Sequence, residues 1–164
     1  MLISAIKRLI ITSSLVLSTN SIAANNCDMF LGLAAANYNA SVDIYETGYN
    51  KLEAAKKGNA CQNLNDAFNN FATAFGGFGA SISHVSQAKE ICSGEKKKTA
   101  GKYFDAIRNA YIQGARATYL SSGLHYKSCK TSSATINADD INILAQEIDK
   151  TIEELDELGQ MDYL

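Results

Sequence analysis

The chain has 164 residues, 46% of them apolar, 20% charged and none proline. That is one domain's length with enough apolar content for a buried core, and it excludes a chain disordered over most of its length. Fifteen basic residues against seventeen acidic ones give −2, which argues against a general nucleic-acid binder.

Residues 1–23 read as a secretory signal. Lys7 and Arg8 close a short basic start, Leu9–Leu17 is apolar, and Ser21-Ile22-Ala23 places small residues at both recognition positions. We expect cleavage after Ala23, with Ala24 the neighbouring choice. The apolar stretch falls far short of the ~20 residues that span a bilayer. Ala24-Asn25-Asn26 is not the small apolar run that precedes a lipid-modified cysteine, so no stable membrane insertion is expected after cleavage. Losing Lys7 and Arg8 leaves 13 basic groups against 17 acidic ones, or −4. Residues 24–164 then form a single domain containing Cys27, Cys61, Cys92 and Cys129. An even cysteine count behind a signal points to disulfides and a periplasmic or secreted protein. Neither Cys-x-x-Cys nor Cys-x-x-Cys-His occurs, which excludes a thioredoxin-type site and covalent haem attachment.

The absence of proline favours long helices, and the apolar spacing predicts four. Helix one covers Asp28–Lys57, with Leu31, Ala35, Tyr38, Val42, Tyr45, Tyr49 and Leu52 stepping by four and three residues, a helical and not a strand period. Helix two covers Gln62–Cys92, with Leu64, Phe68, Phe71, Phe75, Phe78, Ile82 and Val85. Helix three covers Thr99–Ser121, with a weaker stripe of Ala100, Phe104, Ile107, Tyr111, Gly114 and Thr118. Helix four covers Ala138–Leu158, capped by Asn137 and buried through Ile141, Leu144, Ile148, Ile152 and Leu155. Gly58, Gly94, Gly123 and Gly159 stand as stops after each helix. The reading is all-α, an up-down-up-down four-helix bundle, with Gly123 to Asn137 as a longer polar loop.

That topology selects the disulfides. Helix two is about 45 Å long, so Cys61 at its start cannot reach Cys92 at its end. Cys27 and Cys61 begin antiparallel neighbours and lie at opposite ends, and helix three separates Cys92 from Cys129 in the same way. Cys27–Cys92 and Cys61–Cys129 remain, one staple at each end.

The chain is poor in catalytic sets. His84 and His125 are the only histidines, and no Glu-x-x-His pair occurs, which excludes a carboxylate di-iron centre of the usual kind. Met29 falls at the same end as His84, a combination that could ligate haem, although a surface histidine and a core methionine explain both. No Gly-x-Ser-x-Gly elbow or phosphate loop is present, and we expect no enzyme, metal or cofactor. Gly76-Gly77-Phe78-Gly79 either lines a cavity or lets a bulky neighbour approach, with Tyr38, Tyr45 and Tyr49 supplying the bulk. Asn39-Ala40-Ser41 matches a glycosylation acceptor inside helix one.

The charges are uneven. Residues 137–164 hold nine acids and one lysine. Lys89, Lys96, Lys97, Lys98 and Lys102 cluster where helix two turns into helix three, the end to which Glu153, Glu154, Asp156 and Glu157 return. Internal pairing of these groups, or solvation, accounts for them without a nucleic-acid partner. The architecture looks like that of small secreted helical inhibitors and immunity proteins, a likeness of fold alone. The leading expectation is a non-enzymatic protein that binds another protein, as an inhibitor, immunity or escort protein does. Its contact surfaces would be the loop residues His125, Tyr126, Lys127 and Lys130 and the acidic residues Glu153, Glu154, Asp156 and Glu157. A homodimer is also compatible with so many surface alanines. The alternative is a small-ligand or haem carrier with an interhelical cavity near Gly76–Gly79.

Overall fold

A computed structural model describes residues 21–129 and 139–148, with side chains from Asn26 onward. Three long helices, α1 (Ser21–Ala55), α2 (Ala60–Ile91) and α3 (Gly94–Cys129), are followed by a shorter helical stretch, α4 (139–148). The signal segment before residue 21, Asn137, Ile152, Leu155 and Gly159 lie outside the described residues.

The turns follow from backbone chemistry. Gly58 (φ +145°) and Asn59 (φ +47°) reverse the chain after α1, in a region where residues with a Cβ are strained. The Asn63 side chain donates back to the Gly58 carbonyl (2.9 Å). Cys92 leaves α2 in an extended conformation while its N–H still donates to Ala88 O. Gly94, at φ +56°, then opens α3, so this glycine starts a helix as well as following one.

Each long helix buries one seam whose steps alternate between three and four residues. On α1 the seam includes Leu31, Ala34, Tyr38, Ser41, Tyr45, Gly48 and Leu52. On α2 it is Leu64, Ala67, Phe71, Ala74, Phe78, Ser81, Val85 and Ala88. On α3 it includes Tyr103, Ile107, Ala110, Gly114, Ala117, Ser121 and Leu124. Large and small side chains alternate along α1 and α2, and in this register rings meet rings while Ser81 lies against the Ala34 backbone. The ring pairs Tyr38–Phe78 and Tyr45–Phe71 stand at 5.7 and 5.0 Å between centroids, and Ser81 Oγ donates to Ala34 O at 2.5 Å. These contacts and the Cys27–Cys92 bridge share one antiparallel register.

The seams correct the expected stripes. Ala35, Tyr49, Phe68, Phe75, Ile82, Phe104, Tyr111 and Thr118 are only half-buried. They flank the seam, and the seam positions between them belong to Ala34, Gly48, Ala67, Ala74, Ser81, Tyr103 and Ala110. Positions three and four residues from a seam residue both lie on its side of a helix, so a count of large residues picks up the flank.

The pairing expected of the cysteines is present: Cys27–Cys92 and Cys61–Cys129, with Cα atoms 5.2 and 5.6 Å apart. α2 packs against both α1 and α3, which scarcely touch each other. α4 closes the remaining side, burying Ile141, Leu144, Ala145 and Ile148. Arg116–Glu147 (3.1 Å) and Lys127–Asp140 (2.8 Å) tie it antiparallel to α3. The arrangement is the four-helix bundle expected.

α3 is longer than its apolar stripe suggests. It runs through Gly123 to Cys129, so the first part of the expected 123–136 loop is helix. Leu124 and Ser128 continue the buried seam, and that burial outweighs the cost of one exposed glycine, roughly 1 kcal/mol.

Candidate functional site

The glycine-rich segment is packed. A Cβ at Gly77 would collide with the Ser41 hydroxyl, and one at Gly79 would lie 3.4 Å from Tyr111 Cε2. Phe78 is fully buried between Tyr38 and Tyr45, while Gly76 faces open space. Gly77 and Gly79 therefore admit Ser41 and Tyr111 and not the helix-one tyrosines, of which Tyr38 and Tyr45 pack on Phe78. The cleft where Tyr45 meets α3 and α4 holds about 10 Å³, room for about one water molecule.

His84 is half-buried on α2 and stacks on Phe30 with ring centroids 6.1 Å apart. Its Nδ1 is buried without a hydrogen-bond partner, so the residue is less solvated than a side chain pointing off the core face. Met29 is 48% exposed, not a core methionine. Among the described residues no group of three or more His, Cys, Asp or Glu is placed to hold a metal ion. Ser41 of the glycosylation sequence is buried and donates to Asn37 O.

The lysine turn is answered partly from an unexpected side. Lys96 Nζ reaches both Asp28 carboxylate oxygens at 2.6 and 2.7 Å, so the start of α1 supplies its acid. Lys98 pairs with Glu95 on its own helix, and Lys89 lies 3.9 Å over the Phe104 ring. The acids expected to meet this turn, Glu153, Glu154, Asp156 and Glu157, lie outside the described residues, as does Lys130.

The remaining expected contact residues, His125, Tyr126 and Lys127, sit on the last turns of α3 and not in a loop. His125 is half-buried, Lys127 pairs with Asp140, and Tyr126 is 65% exposed. Tyr126 ends a line that the apolar stripes did not reveal: Ile112 (50% exposed), Tyr119 (79%) and Tyr126 recur every seven residues. That period places all three on one outward line of α3, opposite the buried seam. Ala115 and Ser122 lie between them, the first half-buried and the second exposed. Ile143 on α4, also exposed, sits between Asp140 and Glu147, the two acids that reach α3. The line was detectable as a second seven-residue period on α3, out of phase with the first.

Among the described residues no helix is long and apolar enough to cross a membrane, and the two disulfides fit an oxidising compartment. Comparison with family models, curated proteins and solved structures finds no match to this chain.

Proposed function

We propose that this is a non-enzymatic secreted or periplasmic protein that binds another protein, as an inhibitor, immunity or escort protein does. The observation that carries the reading is the outward line of α3, where Ile112, Tyr119 and Tyr126 stand in solvent on a helix whose other side is already buried. Exposed tyrosines placed on a rigid element are the residues that protein interfaces favour. The two staples and the packed interior supply the rigidity, and the signal sequence supplies the route to the compartment where staples form.

The experiment is photo-crosslinking in the producing cell, with a benzophenone amino acid at position 126 and, as a control on the exposed face of α1, at Thr47. The reading expects a second polypeptide joined from 126 and none from 47. Absence of any protein adduct at 126 would overturn it.

The second reading, a small-ligand or haem carrier, is favoured by one observation, the unpartnered Nδ1 of His84. A Soret band in protein taken from its own host, removed by His84→Ala, would establish it over the first.

A further inference from the structure

We propose that the Cys61–Cys129 bridge is a thiol–disulfide exchange site, opened by an external thiol while Cys27–Cys92 stays closed. The inference goes beyond the protein-binding reading and stands without it.

Access separates the two bridges first. Cys27 and Cys92 are 3% and 4% exposed, so an attacking thiolate reaches their sulfurs only if the bundle opens. Cys61 is exposed and Cys129 half-buried. Exchange requires approach to a sulfur, and in the folded chain only this second bridge permits it. No free cysteine is present, so the thiolate comes from outside.

Helix ends then decide which sulfur leaves. Cys61 is the second residue of α2, and Cys129 is the last residue of α3. A helix N-terminus stabilises a thiolate, and a C-terminus opposes one. The first turn of α2 carries no acidic residue, and its N-cap, Asn59, makes no side-chain hydrogen bond to it. Neither a carboxylate nor a cap therefore competes with a sulfur anion for the first N–H groups. Asp66, the first acid along α2, is paired with Lys51 at 3.2 Å. The buried bridge has no such asymmetry in its favour, because Cys27 lies inside α1 and Cys92 is the C-cap of α2.

The exchange proceeds in two displacements. An external thiolate attacks Cys129 Sγ, the bridge breaks, and its electron pair passes to Cys61 Sγ. The new bond joins Cys129 to the incoming sulfur. A second thiolate attacks that incoming sulfur and releases Cys129. Two external thiols become one disulfide, and their two electrons and two protons end on Cys61 and Cys129. With the bridge open, Lys127–Asp140 and the burial of Leu124 and Ser128 are left to hold the last turns of α3, the turns that carry Tyr126.

The test exposes the oxidised mature chain to reduced glutathione in native buffer, stops samples with iodoacetamide and locates every label by peptide mass mapping. Early samples should carry the alkyl group on Cys61 and glutathione on Cys129. Labels on Cys27 or Cys92 should appear at least about tenfold more slowly. Asn59→Asp, at an exposed position, sets a carboxylate beside the first turn of α2. It should slow the release of Cys61 severalfold at an unchanged melting curve, an effect that access alone would not produce. If that variant shifts the melting curve, Lys57→Glu, exposed in the same turn, takes its place.

Equal labelling of the two bridges, or earlier opening of Cys27–Cys92, overturns the proposal. So does glutathione on Cys61 with the alkyl group on Cys129, and so does a rate indifferent to the added carboxylate.

Discussion

Glycine has opposite consequences at different positions of this bundle. At Gly48 an added Cβ would lie 2.8 Å from Phe71 Cε1, and Phe71 is fully buried with no room to withdraw. At Gly76 the same atom meets open space. Alanine gains roughly 1 kcal/mol over glycine in a helix, and overpacking a core costs about 1–3 kcal/mol. Gly76→Ala should therefore raise stability by up to about 1 kcal/mol, whereas Gly48→Ala should lower it, both read from urea midpoints at unchanged slope. Gly77 is intermediate, because its obstacle is the rotatable hydroxyl of Ser41. Removing that hydroxyl with Ser41→Ala should make Gly77→Ala better tolerated, a coupling visible in a double-mutant cycle.

Seams and flanks distinguish the elements. Phe71 is a seam residue and Phe68 a flank residue, although both belong to one apolar stripe in the sequence. Phe71→Ala should cost about 3–5 kcal/mol, and Phe68→Ala clearly less, in the same denaturant titration. The four helices were legible because their apolar spacing is helical throughout, and the disulfide pairing followed because helix length and antiparallel order together forbid the alternatives. The seam itself was harder to read. Ala34, Ala67, Ala74 and Ser81 are buried for closeness of approach and not for size, and composition marks closeness only weakly. The end of α3 was missed because Gly123 resembles a stop, while Leu124 and Ser128 carry the seam onward. Of the expected contact residues, Tyr126 falls on the exposed line, while Ile112 and Tyr119 went unseen because only the core-facing stripe of helix three was followed.

The whole molecule is a bundle closed at both ends, Cys27–Cys92 at one and Cys61–Cys129 at the other. Each bridge joins residues more than sixty positions apart, and the chain-entropy model assigns such a loop about 4 kcal/mol. The double substitution Cys61→Ala and Cys129→Ala should therefore lower unfolding stability by about that amount, measured in denaturant without reductant. Cys27–Cys92 should persist in that variant, since the two ends do not share a cysteine. α3 would then lose its covalent anchor beside the line of Ile112, Tyr119 and Tyr126, and partner binding should fall with stability.

In the function proposed, the exposed α3 face holds another protein. Native mass spectrometry of the mature chain, isolated gently from its own host, tests it most directly. A complex with a second polypeptide is expected, absent when the same isolation is made with Tyr119→Glu. The mature chain carrying only a small extra mass, or a protein complex indifferent to Tyr119→Glu, would contradict it.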